Sequence, residues 1–269
     1  MADSNPVALI TGAAKRVGAV IARHLHAGGY DVVLHHRDAA GEASALQAEL
    51  ERQRPGSTLV LQAELSHFDR LPELIAQSVG RFGRLDALVN NASAFYPTPI
   101  GTVTPSMWDD LFAANARAPF FLAQAAMPHL KAARGAIVNL VDIYAERPLK
   151  NHTVYVMAKA ALSMMTLSLA RELGPEVRVN GVAPGAVLWP EHGKSDLEKT
   201  ALLENTPLQR VGRPEDVAEA VRWLLIDAHY TTGQIIRVDG GRALNIKRAA
   251  KAFCSPVEAK PAGASPTVA

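Results

Sequence analysis

Asp142, Tyr155 and Lys159 are the side chains whose type and spacing suit proton transfer. A tyrosine and a lysine four positions apart on a helix share one face, so phenol and ammonium can point at the same spot. A nearby cation lowers a phenol's pKa from about 10, which prepares it to exchange a proton. Asp142, thirteen residues before Tyr155, supplies a second acid or relay. A Tyr/Lys pair recurs by chance in a chain of this length. Its weight therefore rests on the elements that position it.

Those elements alternate. Val7–Ile10, Val32–His36, Leu59–Leu61, Ala87–Val89, Ala136–Val141, Val177–Val182 and Ile235–Val238 read as short buried strands. Between them, helical spacing runs over Val17–Ala27, Ala40–Arg52, Leu71–Phe82, Pro105–Leu130, Thr153–Leu173 and Pro214–Ile226. Such alternation predicts an α/β fold with a parallel sheet covered by helices on both faces. Ligands in such sheets sit beyond the carboxyl ends of the strands. Tyr155 and Lys159 open the helix that follows the fifth strand.

The first strand runs into Thr11-Gly12-Ala13-Ala14-Lys15-Arg16-Val17-Gly18. The Gly-x-Gly-x-x-Gly fingerprint is absent, yet the physics of a phosphate turn is present. Gly12 permits a tight turn, Gly18 permits close packing, and a helix N-terminus offers amides to an anion. The second strand ends at His35-His36-Arg37-Asp38. An arginine there suits the 2′-phosphate of NADP, whereas an acid suits the ribose of NAD. Arg37, Lys15 and Arg16 favour NADPH, provided that Asp38 points to solvent. The adjacent histidines face opposite sides of a strand and lack metal-ligand spacing, so no metal site is expected.

The chain has 269 residues and a net charge of +2, too small to argue for nucleic acid. Its one cysteine, Cys254, excludes an intramolecular disulfide and points to a reducing compartment. No signal-peptide pattern and no run of about 18 apolar residues stands out, so a soluble cytoplasmic protein with no membrane span is expected. Ala186–Thr206, with Trp189-Pro190-Glu191-His192-Gly193, reads as an irregular loop able to close over a site. Residues 1–246 are expected to form one domain. Residues 247–269, basic and then rich in Pro and Ala, are expected to be a disordered tail.

From Val7 to Gly241 the chain resembles the short-chain dehydrogenase/reductase family. The resemblance is carried by Thr11–Gly18, Asn90-Asn91-Ala92, Asn115, Tyr155/Lys159, Pro184-Gly185 and Asp239-Gly240-Gly241. It implies a Rossmann-type doubly wound sheet in a single domain. It also implies that Lys159 holds the nicotinamide ribose and lowers the pKa of Tyr155. Asn115 would belong to a proton relay, and Pro184-Gly185 would line the nicotinamide.

The departures narrow the resemblance. Arg16 and Ser93 stand where most members carry glycine, and Asp142 stands where most carry serine. With Phe95-Tyr96-Pro97-Thr98-Pro99, these features are similar to the pteridine reductase subfamily. That resemblance implies Asp142, Tyr155 and Lys159 as the catalytic series. It implies cofactor contacts from Gly12, Lys15, Arg16 and Val17, from His36 and Arg37, and from Glu64 and Leu65. It adds Asn91, Ala92 and Ser93, with Tyr155, Lys159, Pro184 and Gly185. Arg16, Ser93, Phe95, Asp142 and Tyr155 would meet a pterin or folate substrate, with Phe95 stacked on the flat ring. NADPH and a homotetramer are implied as well. The alternatives are a 3-oxoacyl-carrier-protein or other carbonyl reductase, or an inactive NADPH-binding protein.

Overall fold

The computed structural model describes residues 5–187 and 196–244. The expected loop at Trp189–Gly193, and Cys254 with the rest of the expected tail, lie outside these residues.

The strands form one parallel seven-stranded sheet in the order β3-β2-β1-β4-β5-β6-β7. They are β1 Val7–Ile10, β2 Asp31–His36, β3 Thr58–Gln62, β4 Ala87–Asn90, β5 Ala136–Leu140, β6 Arg178–Pro184 and β7 Ile235–Val238. This is the Rossmann-type doubly wound arrangement, in which strand order reverses between β1 and β4. Side chains of β1 show why both faces must be covered. Ala8 and Ile10 enter one apolar cluster, with α1 (Arg16–Ala27), α2 (Ala40–Glu51) and α8 (Pro214–Ile226). Val7 and Leu9 enter the other, with α3 (Leu71–Phe82), α5 (Ala118–Ala133) and α6 (Thr153–Leu173). That two-residue alternation is the strand's own geometry. Truncating a fully buried residue here, such as Leu88→Ala, costs about 2–5 kcal/mol.

Three departures from the sequence reading concern helices. The long helix expected over Pro105–Leu130 is interrupted. α4 (Pro105–Phe112) passes through a π-helical segment, Ala113–Arg117, into α5. Such widened turns concentrate at functional sites, and this one carries the buried Asn115. Part of the expected loop Ala186–Thr206 is helical, as α7 (Asp196–Glu204). Finally, α6 is long and apolar enough to cross a membrane by length and composition, although no such run was expected. Its Val154, Ala158, Leu162 and Leu173 are buried within the protein, as is its charged Lys159, so it is a core helix of this fold.

Candidate active site

The carboxyl ends of β1, β2, β3 and β4 open onto a cleft of about 710 Å³. Its walls include Gly12, Lys15, Arg16, Val17, His36, Arg37, Glu64, Leu65, Asn91, Ala92, Ser93 and Phe95. Sequence-expected contacts from four separate turns are thus brought together along one groove.

The first turn is built by close approach. Gly12 adopts φ +63°, and a Cβ on Gly18 would lie 2.2 Å from the Gly12 carbonyl oxygen. Glycine at 18 therefore lets α1 start against the turn. Thr11 Oγ1 accepts the N–H groups of Asn91 (2.9 Å) and Ala92 (3.0 Å). Asn91 Nδ2 donates to the carbonyls of Thr11 and Gly12. Arg16 opens α1 with φ +52°, a left-handed backbone that disfavours any side chain. Glycine would hold that conformation without strain, and arginine keeps it at a cost.

Two of the cations expected to favour NADPH are already engaged. Lys15 pairs with Glu42 at 2.5 Å. Arg37 Nε donates to Asp38 at 2.6 Å and lies 3.9 Å from Glu64. Asp38 is largely exposed to solvent, as the sequence reading required, yet it also closes an ion pair with the adjacent Arg37. A phosphate must compete with that carboxylate for Arg37.

Asp142 follows β5, and Tyr155 and Lys159 lie in the first two turns of α6. Tyr155 Oη donates to Asp142 Oδ2 at 2.7 Å, and Asp142 Oδ1 accepts the Tyr144 N–H at 2.9 Å. Lys159 Nζ donates to the Leu140 carbonyl at 2.7 Å. Burial raises the Asp142 pKa, against the Tyr144 amide, the phenol, and the charges of Lys159 and Arg242. Burial, then the Asp142 charge, lifts Tyr155 well above the ordinary phenol value. This reverses the expectation that Lys159 lowers it. The phenol's immediate neighbour is a carboxylate, and the ammonium is turned to a backbone carbonyl. Burial lowers Lys159 to about 8, with Asp142 opposing.

Phe95 joins the cleft to this trio. Its ring packs edge-on against Tyr155 at 4.8 Å and stacks on His152 at 4.7 Å, while 56% of the residue stays exposed. Ser93 Oγ donates to Asn115 Oδ1 at 2.7 Å, and Asn115 Nδ2 donates to the Leu111 and Ala94 carbonyls. Pro184 and Gly185 sit at the end of β6, beside β5 and outside the cleft walls. A Cβ on Gly185 would lie 2.7 Å from the Asp239 side chain, so that glycine serves close packing.

Residues not singled out from sequence also converge here. Arg242 donates to the Tyr144 hydroxyl at 3.0 Å, and its charge reaches Asp142. Its signal was its place directly after Asp239-Gly240-Gly241. Among the described residues, no three His, Cys, Asp or Glu side chains gather as metal ligands. The arrangement keeps Tyr155 protonated at neutral pH, backs it with an acid of raised pKa, and places an exposed aromatic face beside it. That equips it to deliver a proton to a flat ring.

The family model described as enoyl-(acyl carrier protein) reductase matches residues 12–243. The chain is 39% identical to pteridine reductase 1 of Leishmania tarentolae, over 89% of this chain and 96% of that protein. It is 36% identical to a granaticin polyketide synthase ketoacyl reductase of Streptomyces violaceoruber, over 90% of this chain and 98% of that one. A 3-oxoacyl-(acyl carrier protein) reductase of Staphylococcus epidermidis is 34% identical, with 88% and 98% covered.

Proposed function

Because this chain belongs to the short-chain dehydrogenase/reductase family, we propose that it uses NADPH to reduce a C=N bond of a dihydropterin to the tetrahydro form. The observation that carries this reading is the Tyr155–Asp142 hydrogen bond of 2.7 Å beside the exposed ring of Phe95. A serine at position 142 would suit polarising a ketone. A carboxyl of raised pKa suits protonating a ring nitrogen.

The residues present fit NADPH. His36 Nδ1 is buried without a hydrogen-bond partner at the cleft wall, an orphan that a bound ligand would satisfy. Arg37 would hold the 2′-phosphate, Lys15, Arg16 and Val17 the pyrophosphate end, Leu65 and Ala92 the adenine side, and Lys159 the nicotinamide ribose. When bound, NADPH supplies the hydride. Phe95 holds the pterin ring, and Arg16 and Ser93 contact its polar edge. Tyr155 gives its proton to the ring nitrogen that gains an electron pair as hydride reaches the adjacent carbon. Asp142, whose pKa burial raises, is placed by its 2.7 Å hydrogen bond to return a proton to Tyr155. Dihydrofolate and folate carry the same ring and belong to the same substrate class.

Carbonyl reduction is the second reading. It is favoured by the ketoacyl and 3-oxoacyl reductases, whose identities of 36% and 34% approach the 39% of the pteridine reductase. Assembly into a homotetramer is part of the proposal. It is supported by the exposure of Phe120 on α5 and of Met157, Met164 and Leu167 on α6. A cytoplasmic location is proposed from the single cysteine.

The experiment is the steady-state rate of NADPH oxidation with 7,8-dihydrobiopterin in wild type and Phe95→Ala. Losing the stacking face raises KM for the pterin by about ten-fold, while the NADPH dissociation constant stays within about two-fold. An unchanged KM contradicts the assignment of Phe95 and weakens the pterin reading.

A further inference from the structure

His35 lies at the carboxyl end of β2 and is 2% exposed. Its imidazole spans two turns. Nδ1 meets the Gly12 N–H at 3.1 Å, and Nε2 meets the Ala63 carbonyl at 3.1 Å. Its backbone carbonyl also accepts the Ala13 N–H at 2.8 Å. One tautomer satisfies both ring contacts. Nδ1 accepts from Gly12, and Nε2–H donates to Ala63.

Two consequences follow. First, the amides of Gly12 and Ala13 are both taken by His35, so phosphate oxygens must be met farther along, where α1 begins at Arg16 and Val17. Second, one side chain ties the turn after β1 to the segment after β3, which continues into Glu64 and Leu65. Arg37 lies two residues beyond His35 on the same chain. The cleft's phosphate end and its ribose-adenine end are therefore referred to a common buried group. Asn91 pins the same turn from the opposite side, through the Thr11 and Gly12 carbonyls.

We propose that His35 is a positioning residue that fixes the spacing between the pyrophosphate turn and the 2′-phosphate end of the dinucleotide cleft. This rests on the reading of the cleft as an NADPH site. Burial supports it by holding the His35 pKa down at about 4, which keeps Nδ1 an acceptor at neutral pH. Without the imidazole, the β2–β3 ladder still holds the adenine side, through the His35–Leu61 and His36–Gln62 register. The Gly12 N–H would lose its acceptor, and the turn would shift relative to Arg37.

The test compares wild type with His35→Leu, His35→Gln and His35→Asn by titration calorimetry. Two ligands are used: NADPH, which spans both ends, and adenosine 2′-monophosphate, which carries the 2′-phosphate but no 5′-phosphate and so reaches the β2 end alone. In His35→Leu the NADPH dissociation constant rises by about ten-fold or more, while that of the fragment rises by less than about three-fold. His35→Asn, whose carbonyl oxygen can replace Nδ1 toward Gly12, recovers part of the NADPH loss. His35→Gln, which can replace the Nε2 donor, recovers less. If His35→Leu fails to fold, the Asn and Gln pair decides by the same comparison. Equal losses for the two ligands, or a change confined to melting temperature, overturn the positioning role. Wild type that binds neither ligand overturns the NADPH site itself and this inference with it.

Discussion

Asp142 uses its two oxygens for two tasks: Oδ2 accepts the Tyr155 phenol at 2.7 Å, and Oδ1 accepts the Tyr144 N–H at 2.9 Å. One carboxyl both caps the short helical turn Ile143–Ala145 and touches the proton donor. Asp142→Ser keeps a capping oxygen but removes the acid. We expect kcat for dihydropterin reduction to fall by about 10²- to 10³-fold, with the NADPH dissociation constant within about two-fold. Steady-state kinetics and fluorescence titration read both quantities. Unchanged turnover would remove Asp142 from the reaction.

The titrations separate Tyr155 from Lys159. Tyr155 is pushed well above 10, and Lys159 is lowered to about 8. The alkaline fall in kcat/KM for NADPH is therefore expected near pH 8, as buried Lys159 loses its charge and with it the hold on the ribose. Such a profile reports the free enzyme. In Lys159→Met the limb should vanish from a much lower rate. A wild-type profile flat to pH 10 would contradict the assignment.

Asp38 competes with a phosphate for Arg37. The pair is exposed and therefore weak, so Asp38→Ser is expected to raise the preference for NADPH over NADH by about two- to five-fold. Dissociation constants for both cofactors check this. An unchanged or lower ratio would mean that Arg37 does not read the 2′-phosphate.

Arg16 holds φ +52°, which costs about 1 kcal/mol for a residue with a side chain. Arg16→Gly should leave the melting temperature of the unliganded protein unchanged or higher, while lowering kcat/KM. Thermal unfolding beside kinetics tests the pair of effects. A clear fall in stability would show that the arginine side chain, not the site, maintains the turn.

His35 ties acid stability to the same turn. Its pKa falls from 6.5 unfolded to about 4 folded. The unfolded chain gains a proton at higher pH than the native protein does, so this group's stabilising effect is fully present above 6.5 and declines between 6.5 and 4. The loss is about 3 kcal/mol. The pH dependence of unfolding should be shallower in His35→Leu over that window. Parallel curves would place the native titration elsewhere.

The strands were legible because both faces of a parallel sheet are buried, which leaves continuous apolar runs such as Val7–Ile10 and Ala136–Leu140. The cleft was legible for a related reason. Turns at strand ends place Gly12, Arg37 and Asn91 on one edge whatever covers them. Three features escaped. The π segment at Ala113–Arg117 barely changes apolar spacing, so α4 and α5 read as one helix. Spacing put Lys159 beside Tyr155, but the sign of the Tyr155 shift comes from Asp142, on another element, and from burial. A histidine at the end of an apolar strand reads as core, and the role of His35 emerges only when Gly12 and Ala63 are seen on either side of its ring.

The most direct measurement is NADPH oxidation by the wild-type protein with 7,8-dihydrobiopterin, dihydrofolate and an acetoacetyl thioester, each against NADH as the alternative cofactor. The expected result is a kcat/KM for the dihydropterin that exceeds that for the thioester by about 10²-fold or more, with NADPH preferred. Turnover of the thioester with none of either pterin would contradict pterin reduction and make the protein a carbonyl reductase.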